Sequence, residues 1–232
     1  MEYRVEDKYF VTDADLILIE NRIKTIMKKD EHQKGDCYEI RSLYFDNEWN
    51  QCMDENEAGV DERKKYRIRI YEPDAKLIRL EIKEKLSGLT KKESCILSKD
   101  ESLKIINNSL PLILDERKPL NLLQIQMLCS NMKPKAIISY ERTAYVYQTG
   151  NVRVTFDRNI AASKYCNDFF NKHVNNNIPV LPKGIHILEV KYDELLPDFI
   201  ASQLEIGTLR KTAFSKYYLG RQAIQGNFLF FS

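Results

Sequence analysis

Arg79-Leu80-Glu81-Ile82-Lys83-Glu84-Lys85 alternates charged and aliphatic side chains. In an extended strand, residues i and i+2 share a face, so Arg79, Glu81, Lys83 and Lys85 line one side and Leu80 and Ile82 the other. The same scheme returns elsewhere along the chain. Arg4, Glu6 and Lys8 share a face, and Arg67 and Arg69 lie opposite Ile68 and Ile70. Tyr140 goes with Arg142, Arg153 with Thr155 and Asp157, while Glu189 and Lys191 lie opposite Leu188 and Val190. Long charged groups on one side and aliphatic groups on the other is the rule of this sequence.

Reading the whole chain for period two predicts strands over 3–11, 38–45, 64–71, 77–86, 94–97, 136–147, 152–156 and 185–192. Thr12 and Asp15 form a capping-box signature ahead of Leu16, Ile19, Ile23, Ile26 and Met27, which recur at helical spacing. Further helices are predicted at about 99–107, 119–131, 197–206 and 213–225. Segment 166–183, with Asn175-Asn176-Asn177 and Pro179, reads as a long loop. Strands outnumber helices and are often joined by short connections. An α+β domain follows, an antiparallel sheet with helices packed on its outside.

The 232 residues suit one domain, 1–232, and 43% apolar content supports a core. Basic and acidic residues, 36 and 34, nearly cancel to +2. Together with the lack of an aromatic stacking platform, that argues against nucleic acid as partner. Five Cys without a CxxC pair and three scattered His fit neither a disulfide framework nor a zinc site. Reduced cysteines in a cytoplasmic protein are expected. The first residues lack the apolar core of a signal peptide, and no apolar run approaches the ~18 residues of a membrane segment. The closing Phe228-Leu229-Phe230-Phe231 is expected to dock on the body of the domain. No protein partner is indicated.

A charged strand face is ordinarily a solvated one. Two features point the other way. Arg, Lys and Glu dominate these faces where Thr and Ser are usual, and the amphipathic helices need the apolar face to cover. If the sheet closes, the charged face becomes a lumen. Unpaired buried charge costs several kcal/mol per ion, and a phosphate chain offsets that, since Arg forks and Lys ammonium groups are its usual ligands. Carboxylates in such a site suit Mg²⁺ or Mn²⁺ bridging to the phosphates.

In order along the chain stand Arg4-x-Glu6-x-Lys8-Tyr9, Arg41-Ser42-Leu43-Tyr44-Phe45-Asp46, Lys65-Tyr66-Arg67-Ile68-Arg69-x-Tyr71 and Leu80-Glu81-Ile82-Lys83. Tyr140-x-Arg142-x-Ala144-Tyr145, Val152-Arg153-Val154-Thr155-Phe156-Asp157, Leu188-Glu189-Val190-Lys191-Tyr192 and Phe214-Ser215-Lys216-Tyr217 follow. From about residue 2 to 220 this resembles the VTC domain, the polyphosphate polymerase domain of the triphosphate tunnel metalloenzyme superfamily. The resemblance implies a closed eight-stranded antiparallel β-barrel that binds triphosphate and a metal. It implies transfer of the ATP γ-phosphate to a growing inorganic polyphosphate chain, with tripolyphosphate or nucleoside triphosphate hydrolysis, or polyphosphate binding without turnover, as the alternatives.

Carried over motif by motif, the implied phosphate ligands are Lys8, Arg67, Arg69, Lys83, Arg142, Arg153 and Lys216, with Tyr140 and Ser215 hydrogen-bonding beside them. Arg67, Arg69, Arg142 and Lys216 are the implied catalytic set. Lys91 is preferred over Lys92 as the lysine after the Gly88 turn. Glu189 is the implied Mn²⁺ or Mg²⁺ ligand, with Glu6 as a second. Arg4 stands where the related CYTH branch has Glu, and Ala213 where a basic residue often precedes the Ser; Lys211 is a candidate to compensate.

Several residues also have plain structural readings. Glu189 beside Lys191 is alternatively an internal ion pair. Asp157 is expected to orient a neighbouring Arg, His186 to hold a hydrogen bond, Asp46 to end a strand or cap the next helix, and Lys64-Lys65 to be solvated. No Walker A sequence and no Ser/His/Asp or Cys/His set is present. Phosphoryl transfer does not require one, because alignment and charge cancellation carry it.

Overall fold

A computed structural model describes residues 4–31, 33, 35–71, 77–86, 89–205 and 208–227. The chain opens with β1 (Val5–Thr12), α1 (Asp13–Ile23), the short β2 (Lys28–Lys29) and β3 (Tyr38–Asp46). Then come α2 (Gln51–Glu57), β4 (Arg63–Tyr71), β5 (Ile78–Leu86), β6 (Leu89–Leu97), α3 (Lys99–Ile106) and α4 (Lys118–Cys129). β7 (Lys133–Tyr147) and β8 (Val152–Ser163) are the longest strands, followed by β9 (Ile178–Pro179), β10 (Ile185–Tyr192), α5 (Asp198–Gln203) and α6 (Lys216–Ile224). The Gly88 turn and the Phe228–Phe231 tail lie outside the described residues.

The chain gathers into two compact units interleaved along it. The first draws on residues 1–39, 140–160 and 181–214, the second on 40–139, 161–180 and 215–232. In the first, β1 pairs with β10 and β10 with β8, all antiparallel. Thr12 caps α1 through the expected box with Asp15. That helix lays Leu16, Ile19 and Ile23 on Tyr9, Val11, Phe156, Leu188 and Val190, and Ile200 and Leu204 from the α5 region complete the core. Every strand residue in this core belongs to the aliphatic or aromatic face that the alternation marked. The charged face is the opposite one.

In the second unit β3, β4, β5 and β6 form an antiparallel run. Ile40, Leu43, Phe45, Ile68, Ile70 and Leu80 are fully buried. α6 meets the sheet at Gly220, where an added Cβ would collide with Ile138 of β7, so the close approach requires glycine there. Antiparallel β-structure with packed helices is thus present, as expected. Among the described strands the hydrogen-bonded order ends on β1 and on β6 instead of closing into a ring.

The predicted strands and helices recur, with β6 and β8 running several residues beyond their predicted bounds, while β2, α2 and β9 match no predicted range. The 166–183 segment carries a 3₁₀ turn at Cys166–Phe170 and β9.

Candidate functional site

Cross-strand register assembles the charged face of the second unit. Arg67 on β4 stands opposite Tyr44 on β3 and Glu81 on β5, and Lys83 opposite Lys65 and Lys92. Arg67 donates from Nε to Glu81 Oε2 at 2.8 Å and from Nη1 to the Tyr44 phenol at 2.9 Å. Arg69 Nη1 lies 3.5 Å from the same carboxylate oxygen, and Lys92 Nζ 3.2 Å from the other. Glu81 is 1% exposed. Burial favours its neutral form, but Arg67, Arg69 and Lys92 outweigh that and hold the carboxyl far below its usual range.

Tyr44 reports the field of this cluster. Its buried phenol should rise in pKa through desolvation, yet it is lowered, because Arg67, Arg69 and Lys216 favour the phenolate. The ring stacks on Tyr217 with centroids 5.1 Å apart. The Tyr217 hydroxyl donates to Asp46 at 2.6 Å and accepts from Arg221. Fully buried Asp46 also accepts from the backbone N–H groups of Asn47, Cys52 and Met53. It caps the start of α2, one of the two roles expected of it, and fixes Tyr217 under the cluster.

Ser215 is the N-cap of α6: its hydroxyl accepts from Tyr218 N–H and, at 3.0 Å, from Lys65 Nζ. Lys65, expected in solvent, is therefore drawn inward. Lys216 follows Ser215 as the first residue of α6. Between the two lysines left open after the turn, the structure puts Lys92 on Glu81, while Lys91 faces the other way and pairs with Glu93 at 2.8 Å. Lys92, not Lys91, stands on the Glu81 side of β6.

The first unit carries a second cluster. Lys8 stands opposite Glu189 and Glu189 opposite Thr155; Glu6 stands opposite Lys191 and Lys191 opposite Arg153. Charges alternate along β1 and β10 and across that pair, which favours the pairing, whereas Lys191 and Arg153 are like charges directly opposite. Lys8 Nζ lies 2.8 Å from Glu6 and 3.7 Å from Glu189. Lys191 Nζ lies 2.7 Å from Glu189 and 3.8 Å from Glu6. Arg142 binds Asp157 through two bonds of 2.6 and 2.7 Å and reaches to 3.9 Å from Glu189, with its guanidinium over the Tyr140 ring. Burial disfavours the Arg142 cation, but Asp157 more than compensates and keeps it charged. Asp157 thus orients an arginine. Arg153 pairs with Asp30 and donates to the Tyr38 hydroxyl.

Each unit therefore brings its own candidates together: Lys8, Glu6, Tyr140, Arg142, Arg153 and Glu189 in one, Arg67, Arg69, Lys83, Ser215 and Lys216 in the other. Arg69 and Arg142 are each 8% exposed and Glu189 4%. A solvated outer face does not describe them. Lys211, the candidate replacement at the Ala213 position, binds Asp7 at 2.6 Å. Asp7 points to the side of β1 opposite Glu6 and Lys8, so Lys211 does not make good the missing base. His186 holds Asp13 at 2.7 Å, the structural bond expected of it. The contact of Tyr44 with Arg67 and the hub role of Glu81 escape sequence reasoning, and Lys92 enters it only as the second choice. Their signal lay in cross-strand register, which alternation alone does not supply.

The VTC domain family matches residues 3–225. The chain belongs to that family. No curated protein matches it significantly. Among solved structures, a Hippeastrum protein described as an adenylyl cyclase candidate with a dominant triphosphatase activity superposes with a TM-score of 0.58 at 12% identity, covering 99% of this chain and 98% of its own. An adenylate cyclase candidate from Vibrio parahaemolyticus gives 0.54 at 12% identity, covering 94% and 97%. One from Bacillus halodurans gives 0.51 at 16%, covering 88% and 87%. At these identities the VTC-domain chain shares their fold. No described helix is long and apolar enough to cross a membrane.

Proposed function

We propose that this VTC-domain protein binds ATP and inorganic polyphosphate and transfers the ATP γ-phosphate to the end of the growing chain. The observation that carries the reading is the convergence of Arg67, Arg69 and Lys92 on the buried carboxylate of Glu81, with Arg67 also donating to the Tyr44 phenol. Phosphate oxygens suit that cluster, since guanidinium and ammonium groups are their usual ligands. The eight-stranded tunnel implied by the family resemblance belongs to the same reading.

In this reading Arg67, Arg69, Lys83, Lys92 and Lys216 take phosphate oxygens in one unit, and Lys8, Arg142 and Arg153 in the other, with Tyr140 beside them. The terminal phosphate oxygen of the polyphosphate attacks the γ-phosphorus, the bond to the β-phosphate bridging oxygen breaks, and ADP leaves. Preorganised cations stabilise the charge on the moving group. Asp157 fixes the Arg142 guanidinium by two bonds, and Glu81 and Tyr44 fix that of Arg67, so neither has to reorganise.

Glu6 and Glu189 fit a divalent ion, because both carboxylates already converge on the cations Lys8 and Lys191. No group of three His, Cys, Asp or Glu gathers among the described residues. A hard cation held by one or two carboxylates and completed by phosphate oxygens and water matches that donor set. Bound Mg²⁺ or Mn²⁺ would supply further charge neutralisation on the phosphates.

A second reading, hydrolysis of tripolyphosphate or nucleoside triphosphate, is favoured by the triphosphatase activity ascribed to the Hippeastrum structure of like fold. Incubation with ATP and Mn²⁺ separates the readings. Polyphosphate product supports the polymerase, orthophosphate alone supports the hydrolase, and neither product under any metal overturns both in favour of a binding module.

A further inference from the structure

Thr155 is 1% exposed, and its hydroxyl has no hydrogen-bond partner among the described residues. A buried polar group left unmade costs about 1–3 kcal/mol, and native proteins retain few of them. Valine has the same shape without that cost. Packing alone therefore favours Val at 155.

Strand register shows which residues surround Thr155. By alternation Thr155 shares its face of β8 with Arg153 and Asp157. Its cross-strand partner on β10 is Glu189. Asp157 holds Arg142, and Lys8 and Lys191 close on Glu189. Thr155 is a neutral side chain within this charged cluster, flanked by Arg153 and Asp157 along its strand. The hydroxyl can both donate and accept, whereas the surrounding arginines and lysines only donate. A ligand with acceptor oxygens drawn in by those cations would meet a free O–H there.

We propose that Thr155 is a ligand-binding residue whose hydroxyl donates to a phosphate oxygen held beside Glu189. The inference rests on the phosphate-binding reading above and adds to it a neutral donor that no motif marks. The cations attract any polyanion. The hydroxyl adds a directional contact, and its stability cost in the empty protein is recovered when the phosphate arrives.

Two measurements on Thr155→Val and Thr155→Ser test it. The first is calorimetric titration of tripolyphosphate in EDTA, which reads the contact without metal. The second is the melting temperature of the ligand-free protein. Losing a hydrogen bond to a charged oxygen predicts about tenfold weaker tripolyphosphate binding for the Val variant, near-native binding for Ser, and a ligand-free melting temperature for Val no lower than wild type. Val binding as tightly as wild type overturns the role of Thr155 while leaving the phosphate site standing. A lowered melting temperature with unchanged binding assigns the hydroxyl to a buried water and overturns it equally. Wild-type protein that does not bind tripolyphosphate at all overturns this inference together with the reading on which it rests.

Discussion

Lys92 Nζ lies 3.2 Å from Glu81 Oε1, while its neighbour Lys91 turns to Glu93 on the other side of the strand. One residue of register decides which lysine joins the cluster. Lys92→Ala is expected to weaken tripolyphosphate binding about tenfold, the usual scale of one charge-assisted contact. Lys91→Ala is expected to leave it within about twofold. Calorimetric titration of both variants reads the difference, and the reverse ranking would contradict the register.

Arg67→Ala and Glu189→Gln each remove a charge from the centre of a cluster. Loss of a group that stabilises developing charge lowers turnover by about 10²–10³, and that is the expected fall in product formation from ATP and Mn²⁺. Circular dichroism of both variants should keep the native β signal. Near-native turnover in either one would count against the assigned role.

Lys211→Ala serves as the control. Its ammonium pairs with Asp7 on the far side of β1 and is 65% exposed, so surface-pair energetics of about 0–1 kcal/mol apply. Product formation should match wild type. A clear loss would return Lys211 to the vacancy at Ala213.

Glu81 gives the protein a pH dependence. Its carboxyl is held far below the ordinary value of 4.5 by Arg67, Arg69 and Lys92. The stabilisation is fully present above that value and is lost as the pH falls below it, because the unfolded chain binds the proton first. Urea unfolding at pH 7 and pH 4 should show the gap between wild type and Glu81→Gln narrowing at the lower pH. A gap that stays constant or widens would contradict the charge pairing.

Asp46→Ala should be costly, since Asp46 caps α2 and holds the Tyr217 hydroxyl. Stripping a buried carboxylate from several donors is worth about 3 kcal/mol or more. Urea denaturation reads it, and a loss under 1 kcal/mol would show the hub to be dispensable.

Particular elements show how far the sequence alone reaches. Alternation from Leu188 to Lys191 within an Ile- and Val-rich run places β10 at 185–192, its observed ends. β8 was read only to residue 156, yet it runs to Ser163. Asn159 with φ 52° breaks the alternation there, and Ile160, Ala161 and Ala162 beyond it are all buried. β6 starts at Leu89, but Thr90 to Glu93 is wholly polar and carries no hydrophobic period. α2 spans only seven residues and has no side-chain cap bond from left-handed Asn50, so its start is marked in the sequence by Asp46 alone. The charged residues of each cluster were legible one strand at a time. Which of them touch, such as Arg67 with Tyr44 or Lys8 with Glu6 and Glu189, was set by pairing between distant segments.

The central claim is that the buried cations of this fold are there for a phosphate chain. Melting the protein with and without tripolyphosphate addresses it most directly. A ligand of the folded state at a hundredfold excess over its Kd stabilises by about 2.7 kcal/mol, so a rise of several degrees is expected, with little change from sulfate at equal ionic strength. Equal shifts from both anions, or none from tripolyphosphate, would contradict the claim.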